Sequence, residues 1–358
     1  MKIGIITDSV GRTNTGIGYY TKSVCQYLTK NSHTKKHRIK YIDYEKNSFN
    51  ESRLMLVKNI FLFFRTYLWH NFLPFKIKKN DFNYIMSFSG IPHFKQYSSK
   101  EIFFIYDLSM FVVPETHPHS RVLIYKLLLG KTIKNCYKIV VISQSTKQDL
   151  IRYYHVPENK IMIIYPPFPK MNNNQQKPKI QIKKQFILYL GTLEPRKNIT
   201  LIIKALHQLK SMSLFPYQLI IAGKKGWGFK EIFDMVYEFG LEKEVVFTGY
   251  VSDAEKKYLY KHADLFIYPS LYEGFGIPPL EAMHYGCPVI TSNTSSLPEV
   301  VGNAGLIINP YNVEALVSAI IKVLNNKKLK KEMIEKGFKQ AKKFRKDPSE
   351  KFLKFIKV

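Results

Sequence analysis

Short apolar runs rich in β-branched residues alternate along this chain with longer segments whose apolar positions recur every three or four residues. In the first half the short runs are KIGIITD, HRIKYIDY, NYIMSFS, EIFFIYDL and KIVVIS. In the second half they are QFILYLGT, YQLIIAGK, EVVFTGYV, DLFIYPS and PVITSN. The segments between them, such as RVLIYKLLLGKTIKNCY and VEALVSAIIKVLNN, have helical spacing. The alternation predicts an α/β fold built on two doubly wound parallel sheets.

Two positions mark where predicted helices begin and end. Ser145, with Gln148 three residues later, has the pattern of an N-terminal cap for the helix in STKQDLIRYY. Gly286 follows LEAMHY and is predicted to end that helix, because glycine readily adopts the left-handed conformation of a helix C-terminus.

A polar, proline-containing segment divides the alternation into two halves of similar length. It reads PKMNNNQQKPKIQIKK, from Pro169 to Lys184, and has the composition of a linker. The length of 358 residues also exceeds that of a usual single core and favours two domains. We predict a first domain over residues 1–170, a linker over 171–184 and a second domain over 185–340.

The net charge of +28 is unusual for an otherwise ordinary soluble composition of 45% hydrophobic and 23% charged residues. Such a charge favours anionic partners, namely phosphorylated ligands, nucleic acid or acidic lipid surfaces. Compositional drift explains it equally well, because Lys, Ile, Asn, Tyr and Phe are frequent throughout the chain. The basic residues are dispersed and form no recognised nucleic-acid-binding motif, so nucleic acid is not the expected partner.

Cysteine usage and the first residues indicate a cytoplasmic protein. Cys25, Cys136 and Cys287 are widely spaced, which argues against a disulfide framework or a zinc site and favours a reducing compartment. The opening residues MKIGIITDSV have the pattern of a buried strand and not of a signal peptide.

One segment of the first domain, Leu56–Lys79, combines aromatic and basic residues. Arg65 and His70 interrupt it, so its uncharged runs fall short of the ~20 residues that a membrane-spanning helix needs. It fits a core helix and, equally, an element lying on an anionic membrane surface. Its apolar residues are Phe61, Phe63, Phe64, Tyr67, Leu68, Trp69 and Phe72.

The loops after predicted strands are the candidate binding loops, because ligands of doubly wound sheets bind beyond the carboxyl ends of the strands. TNTGIGYY follows the first strand, and its Gly16 and Gly18 could bring backbone N–H groups close to an anion, or simply form a turn. IAGKKGWG carries Lys224 and Lys225 and fits either a ligand loop or a solvent-facing turn.

The loop GTLEPRKNITLI places Arg196 and Lys197 just before a helix whose predicted cap is Asn198. A guanidinium can bind two phosphate oxygens at once and an ammonium acts as a point charge, so the pair suits a diphosphate. The alternative is a solvated basic pair. The position directly after a strand favours the diphosphate.

The segment YEGFGIPPLEAMHYGCPV holds Glu273 and Glu281 eight positions apart. Pro278 suits the first turn of a helix, and the positive end of that helix would favour a negatively charged ligand. Two carboxylates beside an anion site make sense as acceptors for the neutral hydroxyls of sugars on either side of a phosphate. The alternative for Glu281 is a first-turn glutamate that only balances the helix dipole.

These motifs resemble the family 4 glycosyltransferases, which are retaining enzymes of the GT-B fold that use nucleotide-sugar donors. The resemblance covers nearly the whole chain and rests on EGFG with LEAM, on GTLEPRKN and on GCPVITSNTSSLPEVVGNAGLIINP. It implies two Rossmann-like domains facing across a deep cleft. Residues 1–170 would bind the acceptor, residues 185–340 would bind the nucleotide sugar, and residues 341–358 would form a helix packing back towards the first domain.

The resemblance also implies roles for individual residues. Glu281 would bind the ribose, Arg196 and Lys197 the diphosphate, and Glu273 the donor sugar hydroxyls. The backbone of Gly274, Phe275 and Gly276 would lie beside that sugar, and the main chain of Gly249, Tyr250 and Val251 would contact the base. Gly16 and Gly18 would lie near the donor phosphates or the acceptor.

The chain departs from the family pattern at one position. Where the family has His-Asp after a strand of the first domain, this chain has Tyr106-Asp107. A phenol can donate a hydrogen bond but stays neutral near pH 7, with an ordinary pKa of about 10. Either Tyr106 keeps the role of positioning the donor sugar, or activity is lowered or lost, as it would be in a non-catalytic GT-B subunit; the otherwise intact motifs favour the first.

GTLEPRKN, AGKKGWG and YDLSMFVVPETHPHSR resemble most the mannosyltransferase branch, which typically uses GDP-mannose, although other hexosyltransferases share these phrases. The implied reaction transfers a hexose with retention to a glycan or lipid-linked acceptor, at the inner face of the membrane if the acceptor is a lipid. No DxD motif occurs, so no metal and no cofactor besides the donor substrate are expected. The leaving diphosphate would accept the acceptor's proton.

Overall fold

The computed structural model describes residues 2–7, 18, 20–25, 38–43, 68, 70–73, 75, 77, 82–97, 100–166, 174–180, 182, 185–212, 216–345 and 354–355. The chain divides into two compact units. The first comprises Met1–Phe111, Pro118–Pro167 and Asp347–Val358, and the second Val112–His117 and Phe168–Lys346. The short excursion Val112–His117 into the second unit has no counterpart in the sequence pattern.

The described part of the first unit contains a six-stranded sheet in the order β2-β1-β3-β4-β5-β6, in which all neighbours pair in parallel. Every residue of β3 and β4 is buried, so both faces of these strands are covered, and their sequences are mostly apolar instead of alternating. The strands are β1 (Lys2–Thr7), β2 (Arg38–Asp43), β3 (Tyr84–Ser87), β4 (Glu101–Ile105), β5 (Lys138–Val141) and β6 (Ile161–Ile163).

Three helices of this unit have defined bounds, namely α1 (Ser109–Val112), α2 (His119–Asn135) and α3 (Gln144–Tyr154). Glu158–Lys160 forms a 3-10 turn, and residues 18, 20–25, 68, 70–73, 75 and 354–355 are also helical. Phe355, near the C-terminus of the chain, packs against the buried core of the first sheet, and Lys138 Nζ lies 4.8 Å from its ring centroid.

The predicted cap of α3 is wrong by two residues. The N-cap is Ser143, whose backbone is extended and whose Oγ accepts a hydrogen bond from Thr146 N (3.0 Å). Ser145 lies inside the first turn. The cause is that β5 ends at Val141, so that the helix begins earlier than the Ser-x-x-Gln pattern suggests.

The second unit contains another six-stranded parallel sheet in its described residues, in the order β12-β11-β10-β7-β8-β9. The chain leaves β7 towards β8 and β9 and returns on the other side at β10, so the strand order reverses between β7 and β10. The strands are β7 (Phe186–Leu190), β8 (Gln218–Ala222), β9 (Val245–Gly249), β10 (Leu265–Tyr268), β11 (Val289–Ser292) and β12 (Leu306–Ile308).

The described helices of the second unit are α4 (Ile199–Ser211), α5 (Lys230–Glu238), α6 (Asp253–His262), α7 (Ile277–His284), α8 (Leu297–Val301), α9 (Val313–Asn325) and α10 (Lys327–Lys343). Helix α7 ends where predicted, because Gly286 has a left-handed φ of 78° just after it. A Cβ at that glycine would lie 3.0 Å from Phe338 of α10, so a side chain would also crowd the neighbouring helix.

No helix in the described part of the chain is long and apolar enough to cross a membrane. Within Leu56–Lys79, the structure describes Leu68 and Phe72 among the apolar residues singled out from the sequence, and both are exposed. The other apolar residues named for that segment lie outside the described part.

Candidate active site

The loops that carry the main candidate residues meet where the strand order of the second sheet reverses. The loop after β7 contains Arg196 and Lys197, and the loop after β10 contains Glu273. A backbone hydrogen bond from Leu271 N to Arg196 O (2.9 Å) joins the two loops. In doubly wound sheets this reversal point, at the carboxyl ends of the strands, is where ligands bind.

The loop after β7 folds into one 3-10 turn, Pro195–Lys197, and reaches α4 through Asn198. Asn198 occupies the N-cap position, as predicted, but its φ is 55° and its side chain does not cap the helix. Its Nδ2 instead donates to Pro269 O (3.3 Å) and Pro310 O (2.7 Å). Asn198 therefore fixes the β7 loop against the loop that follows β10.

Glu273 lies at the centre of a buried ion cluster, which we define as Glu194, Arg196, Lys197 and Glu273. Lys197 Nζ lies 2.5 Å from Glu273 Oε1, and Arg196 Nη1 lies 3.3 Å from Glu273 Oε2. Arg196 Nη2 donates to Glu194 Oε1 (2.8 Å), and Arg196 Nη1 donates to the Tyr272 carbonyl (2.6 Å). Glu273 and Lys197 are each only 8% exposed, so their charges are almost fully withdrawn from water.

The charges within the ion cluster set its protonation states. Burial alone would raise the pKa of Glu273, but the charges of Lys197 and Arg196 outweigh it and lower that pKa to about 2. Burial and the neighbouring Arg196 lower the pKa of Lys197, against the attraction of Glu273. Burial raises the pKa of Tyr268, whose hydroxyl accepts a hydrogen bond from Lys197 Nζ (2.8 Å). Glu273 is thus ionised and Tyr268 neutral near pH 7.

Glu281 is also buried but has different partners. It lies within α7, on the helix that begins directly after the Glu273 loop. Lys256 Nζ donates to its Oε1 (3.0 Å) and Tyr260 Oη to its Oε2 (3.2 Å). Burial raises the pKa of Glu281 in spite of Lys256. The interpretation as a glutamate that only balances the helix dipole does not account for this built environment.

Two serines that the sequence reasoning passed over hold the Glu273 loop in place. Ser295 Oγ accepts a hydrogen bond from Glu273 N (2.8 Å), so this N–H is already used. Ser296 Oγ lies within hydrogen-bond distance of two carbonyls, Glu273 O (2.9 Å) and Phe275 O (2.6 Å). The polar run TSNTSS, which begins in the last two residues of β11 and continues after it, is the sequence signal that could have indicated them.

The turn from this loop into α7 requires glycine. Gly276 is the N-cap, with a φ of 111°, and a Cβ at this position would lie 2.8 Å from Leu297 Cδ2. Pro278 occupies the first turn, as predicted. The backbone of Gly274, Phe275 and Gly276 thus lies between Glu273 and the N-terminus of α7.

Tyr106 and Asp107 lie in the first unit, directly after β4. The Tyr106 hydroxyl donates to Phe88 O (2.7 Å) and lies 3.5 Å from Thr21 Oγ1. Asp107 Oδ1 accepts hydrogen bonds from Ser109 N (2.9 Å) and Ser109 Oγ (2.7 Å) at the start of α1. Asp107 therefore has a structural role in holding the turn into α1.

Both residues line a cavity of about 230 Å³ within the first unit. The apolar side chains of Ile91, Met110 and Ile124 form much of its wall, and Arg121 lines it as well. A mostly apolar pocket with a few polar groups is typical of a small-molecule site.

The remaining candidates are not members of the ion cluster, although Leu193 N donates to Lys224 O (2.9 Å) and so joins the loop of Lys224 to the β7 loop. Some lie outside the described residues. Gly16 is outside them, and Gly18 is part of a helix. Gly249, Tyr250 and Val251 follow one another at the end of β9, and Lys224 Nζ lies 4.6 Å from the Tyr250 ring centroid. Lys225 packs instead over the aromatic rings of α5 and the residue before it.

Tyr268, Lys256 and Tyr260 were not found from the sequence, although they contact the candidate carboxylates. Each lies in an ordinary strand or helix pattern that carries no special signal. Across the ranges that the structure describes, no group of three or more His, Cys, Asp or Glu side chains is placed to hold a metal ion.

Two doubly wound parallel-sheet units in one chain define the class: the protein has the GT-B fold, as predicted. It superposes on sucrose-phosphate synthase from Thermosynechococcus elongatus with a TM-score of 0.72 and 18% identity. The superposition covers 100% of this chain and 98% of the synthase. Residues 170–340 match the family model described as Glycosyl transferases group 1.

Two curated relatives are similar in sequence. The O-antigen chain mannosyltransferase B of Escherichia coli is 36% identical over 247 residues, which cover 67% of this chain and 65% of that protein. The serotype-specific mannosyltransferase WbdA of Escherichia coli is 33% identical over 217 residues, which cover 58% of this chain and 27% of that protein. The chain therefore spans less than two thirds of the length of either relative. These similarities support the predicted resemblance to GT-B glycosyltransferases.

Proposed function

We propose that this protein is a retaining, family 4 hexosyltransferase that transfers mannose from GDP-mannose to a glycan or lipid-linked acceptor in polysaccharide biosynthesis. The observation that carries the proposal is the ion cluster, in which Glu273 holds two cations suited to a diphosphate at the reversal point of the sheet. The names of the similar proteins, both mannosyltransferases, favour mannose as the sugar.

Donor binding has to change the ion pairs of this cluster. The two cations, Arg196 and Lys197, are matched by two carboxylates, Glu194 and Glu273, so the cluster offers a diphosphate no net positive charge. The diphosphate can use these cations only if one carboxylate releases them. We assign this exchange to Glu273: its carboxylate turns to accept hydrogen bonds from the sugar hydroxyls while the cations pass to the phosphates.

The N-terminus of α7 supports the same ligand. It begins directly after the Glu273 loop, and its dipole favours negative charge in that place; Ile277 carries the N–H of its first turn, because Pro278 and Pro279 have none. Glu281, four residues into the helix from Ile277, is available to a ribose hydroxyl through its remaining lone pairs. Sugar, diphosphate and ribose would then bind in the order in which they are joined in the donor.

The chemical step needs no protein nucleophile in this proposal. The bond between the sugar C1 and the diphosphate oxygen breaks, and the acceptor oxygen forms a bond to C1 on the same face. The acceptor's proton passes to the leaving diphosphate oxygen. Arg196, Lys197 and α7 stabilise the charge that develops there, without a metal ion, and this accounts for catalysis by positioning and leaving-group stabilisation.

A second candidate function, a non-catalytic GT-B subunit, is favoured by one observation. The Tyr106 hydroxyl, in the place of the family's histidine, donates to the Phe88 carbonyl. A subunit of this kind would bind nucleotide without turnover. In the catalytic proposal Tyr106 keeps a positioning role, and the protein acts in the cytoplasm, at the inner face of the membrane when the acceptor is a lipid.

Thermal unfolding with GDP, UDP and GDP-mannose tests donor binding. A ligand at about 100 times its Kd stabilises by about 2.7 kcal/mol, so GDP should raise the Tm clearly and UDP less. Arg196→Ala should abolish the shift, whereas Arg152→Ala, a surface control in α3, should keep it. Failure of every nucleoside diphosphate to stabilise the protein would overturn the proposal. Stabilisation without donor hydrolysis or transfer would identify the non-catalytic subunit.

A further inference from the structure

Six large apolar side chains of the first unit are exposed and take no part in its core. Each is between 53% and 69% exposed. We call them, together with Lys95 and Lys131, the basic apolar surface. Its apolar members are Leu68, Phe72, Phe75, Phe94, Leu123 and Leu127.

Direct contacts show that these residues form one surface. Leu123, Leu127 and Lys131 occupy successive turns on one side of α2. Lys131 Nζ lies 5.2 Å from the Phe94 ring centroid, so the stripe on α2 continues to Phe94. The loop that carries Phe94 is fixed to α2 by Thr132 Oγ1, which accepts from His93 N (2.8 Å).

The same loop contacts the segment whose described residues 68, 70–73 and 75 are helical. Phe94 N donates to Asn71 Oδ1 (2.9 Å), and Lys95 Nζ lies 4.0 Å from the Phe75 ring centroid. Leu68, Phe72 and Phe75 have the spacing of one helix face. The basic apolar surface thus runs from α2, across the loop, to this helical segment.

The charge of these segments is of one sign. Residues 68–80, 90–100 and 119–135 contain no Asp or Glu and nine Lys or Arg residues. The two lysines of the surface lie over aromatic rings, which keeps their ammonium groups beside the apolar side chains.

We propose that the basic apolar surface docks the first unit on an anionic lipid bilayer. Exposed apolar side chains of this number mark a protein or a membrane interaction site. Lysine is depleted in protein–protein interfaces, whereas apolar side chains interspersed with lysines are typical of elements that lie in the headgroup region of acidic membranes. Nucleic-acid binding through phosphate contacts would use the basic and polar side chains and would give the exposed Leu123 and Leu127 no role.

The inference is independent of the proposed function, because none of these residues belongs to the ion cluster. It extends the membrane hypothesis for Leu56–Lys79, which contains Leu68, Phe72 and Phe75, to Phe94, Leu123, Leu127, Lys95 and Lys131, which lie elsewhere in the sequence. If both proposals hold, the surface brings the enzyme to the membrane that contains its lipid-linked acceptor.

Flotation of the full-length protein with phosphatidylcholine vesicles, with and without phosphatidylglycerol, tests the proposal. We expect flotation with the anionic vesicles only. The triple variant Phe94→Ser/Leu123→Ser/Leu127→Ser should lower the bound fraction at least about tenfold. The matched control Met212→Ser/Tyr237→Ser/Tyr311→Ser changes equally exposed apolar residues of the second unit and should bind as the unchanged protein does.

A charge pair of variants separates specific docking from the general attraction of a basic protein. Lys95→Gln/Lys131→Gln should weaken flotation more than Lys230→Gln/Lys336→Gln, which removes two exposed lysines elsewhere. Equal losses in both would reduce the effect to net charge and overturn the proposal. So would flotation that the triple apolar variant leaves unchanged, or no flotation of the unchanged protein. GDP-induced stabilisation, measured on every variant, reports separately on the proposed function.

Discussion

At the scale of single residues, the most informative feature is that the Glu273 carboxylate is paired with two cations, Arg196 and Lys197. A buried carboxylate is expensive unless it is paired, and here the pairing is complete enough to hold the pKa of Glu273 at about 2. The same pairing withholds Arg196 and Lys197 from a diphosphate. Substituting Glu273 should therefore affect binding and turnover in opposite directions.

We expect Glu273→Gln to tighten GDP binding about tenfold and to lower the transfer rate about 10²-fold. The amide removes the negative charge that competes with the diphosphate, but it holds the sugar hydroxyls less well. Calorimetry with GDP and initial-rate measurements check the two effects. Glu244→Gln, which disrupts the surface ion pair with Lys210, is the control and should change neither. Weaker GDP binding by Glu273→Gln would contradict the proposed exchange.

The two buried glutamates should also differ in their effect on stability against pH. The pKa of Glu273 is lower in the folded protein than its ordinary value of 4.5, so its ion pairs contribute fully above about pH 4.5. That contribution, about 3 kcal/mol, is lost as the pH falls from 4.5 towards 2. Burial raises the pKa of Glu281, so its ionisation costs stability above pH 4.5 and acidification relieves this cost.

Urea unfolding of Glu273→Gln and Glu281→Gln between pH 7 and pH 3 separates the two cases. The stability difference between the unchanged protein and Glu273→Gln should shrink on acidification. On acidification, the free energy of unfolding of the unchanged protein should increase relative to that of Glu281→Gln. Parallel curves for the two variants would show that the ion cluster does not set the charge of Glu273.

At the scale of elements, the apolar pattern predicted ten of the twelve described strands and most helices, but it missed the short edge strands β6 and β12 and misplaced the cap of α3. Ser145 and Ser143 are both suitable caps in sequence. Only the end of β5 at Val141 decides between them, since the helix starts as soon as the backbone leaves the strand. Similarly, Asn198 stands at an N-cap position, but its side chain binds the carbonyls of two other loops.

Ser143→Ala should destabilise α3 by about 1 kcal/mol, because Thr146 N loses its hydrogen-bond partner. Hydrogen exchange of a peptide within 144–154 should then be about fivefold faster. Ser145→Ala is the matched control and should leave exchange nearly unchanged. A larger effect of Ser145→Ala than of Ser143→Ala would show that Ser145 is the cap, as the sequence pattern suggests.

At the scale of the whole molecule, the second unit carries the site that is best defined. Its loops after β7, β10 and β11 converge on Glu273, and each of them follows a strand of one sheet. The first unit offers a cavity beside Tyr106 and Asp107 and, on its outside, the basic apolar surface. Under the proposed function, the second unit would bind the donor and the first unit the acceptor or its lipid, which would account for both features.

The reaction as proposed draws its leaving-group stabilisation from Arg196, Lys197 and α7 alone. Mannosyl transfer should therefore proceed at the same rate, within about twofold, after EDTA treatment and with added magnesium. Rate measurements on the dialysed protein check this. Activity that EDTA abolishes and magnesium restores would show that a divalent ion shares the work assigned to these cations.

The sequence by itself determined the α/β class, the two sheets, and the glutamates and basic residues of the second half that a sugar nucleotide would need. These features can be predicted locally, because the periodicity of strands and helices and the glycine turns depend on residues that are close together in the sequence. Only the tertiary structure decided that Glu273 pairs with Arg196 and Lys197, that Glu281 pairs with Lys256 and Tyr260, and that Ser295 and Ser296 hold the loop. Most of these contacts join residues that lie far apart in the chain, and their geometry depends on which strands become neighbours in the sheet.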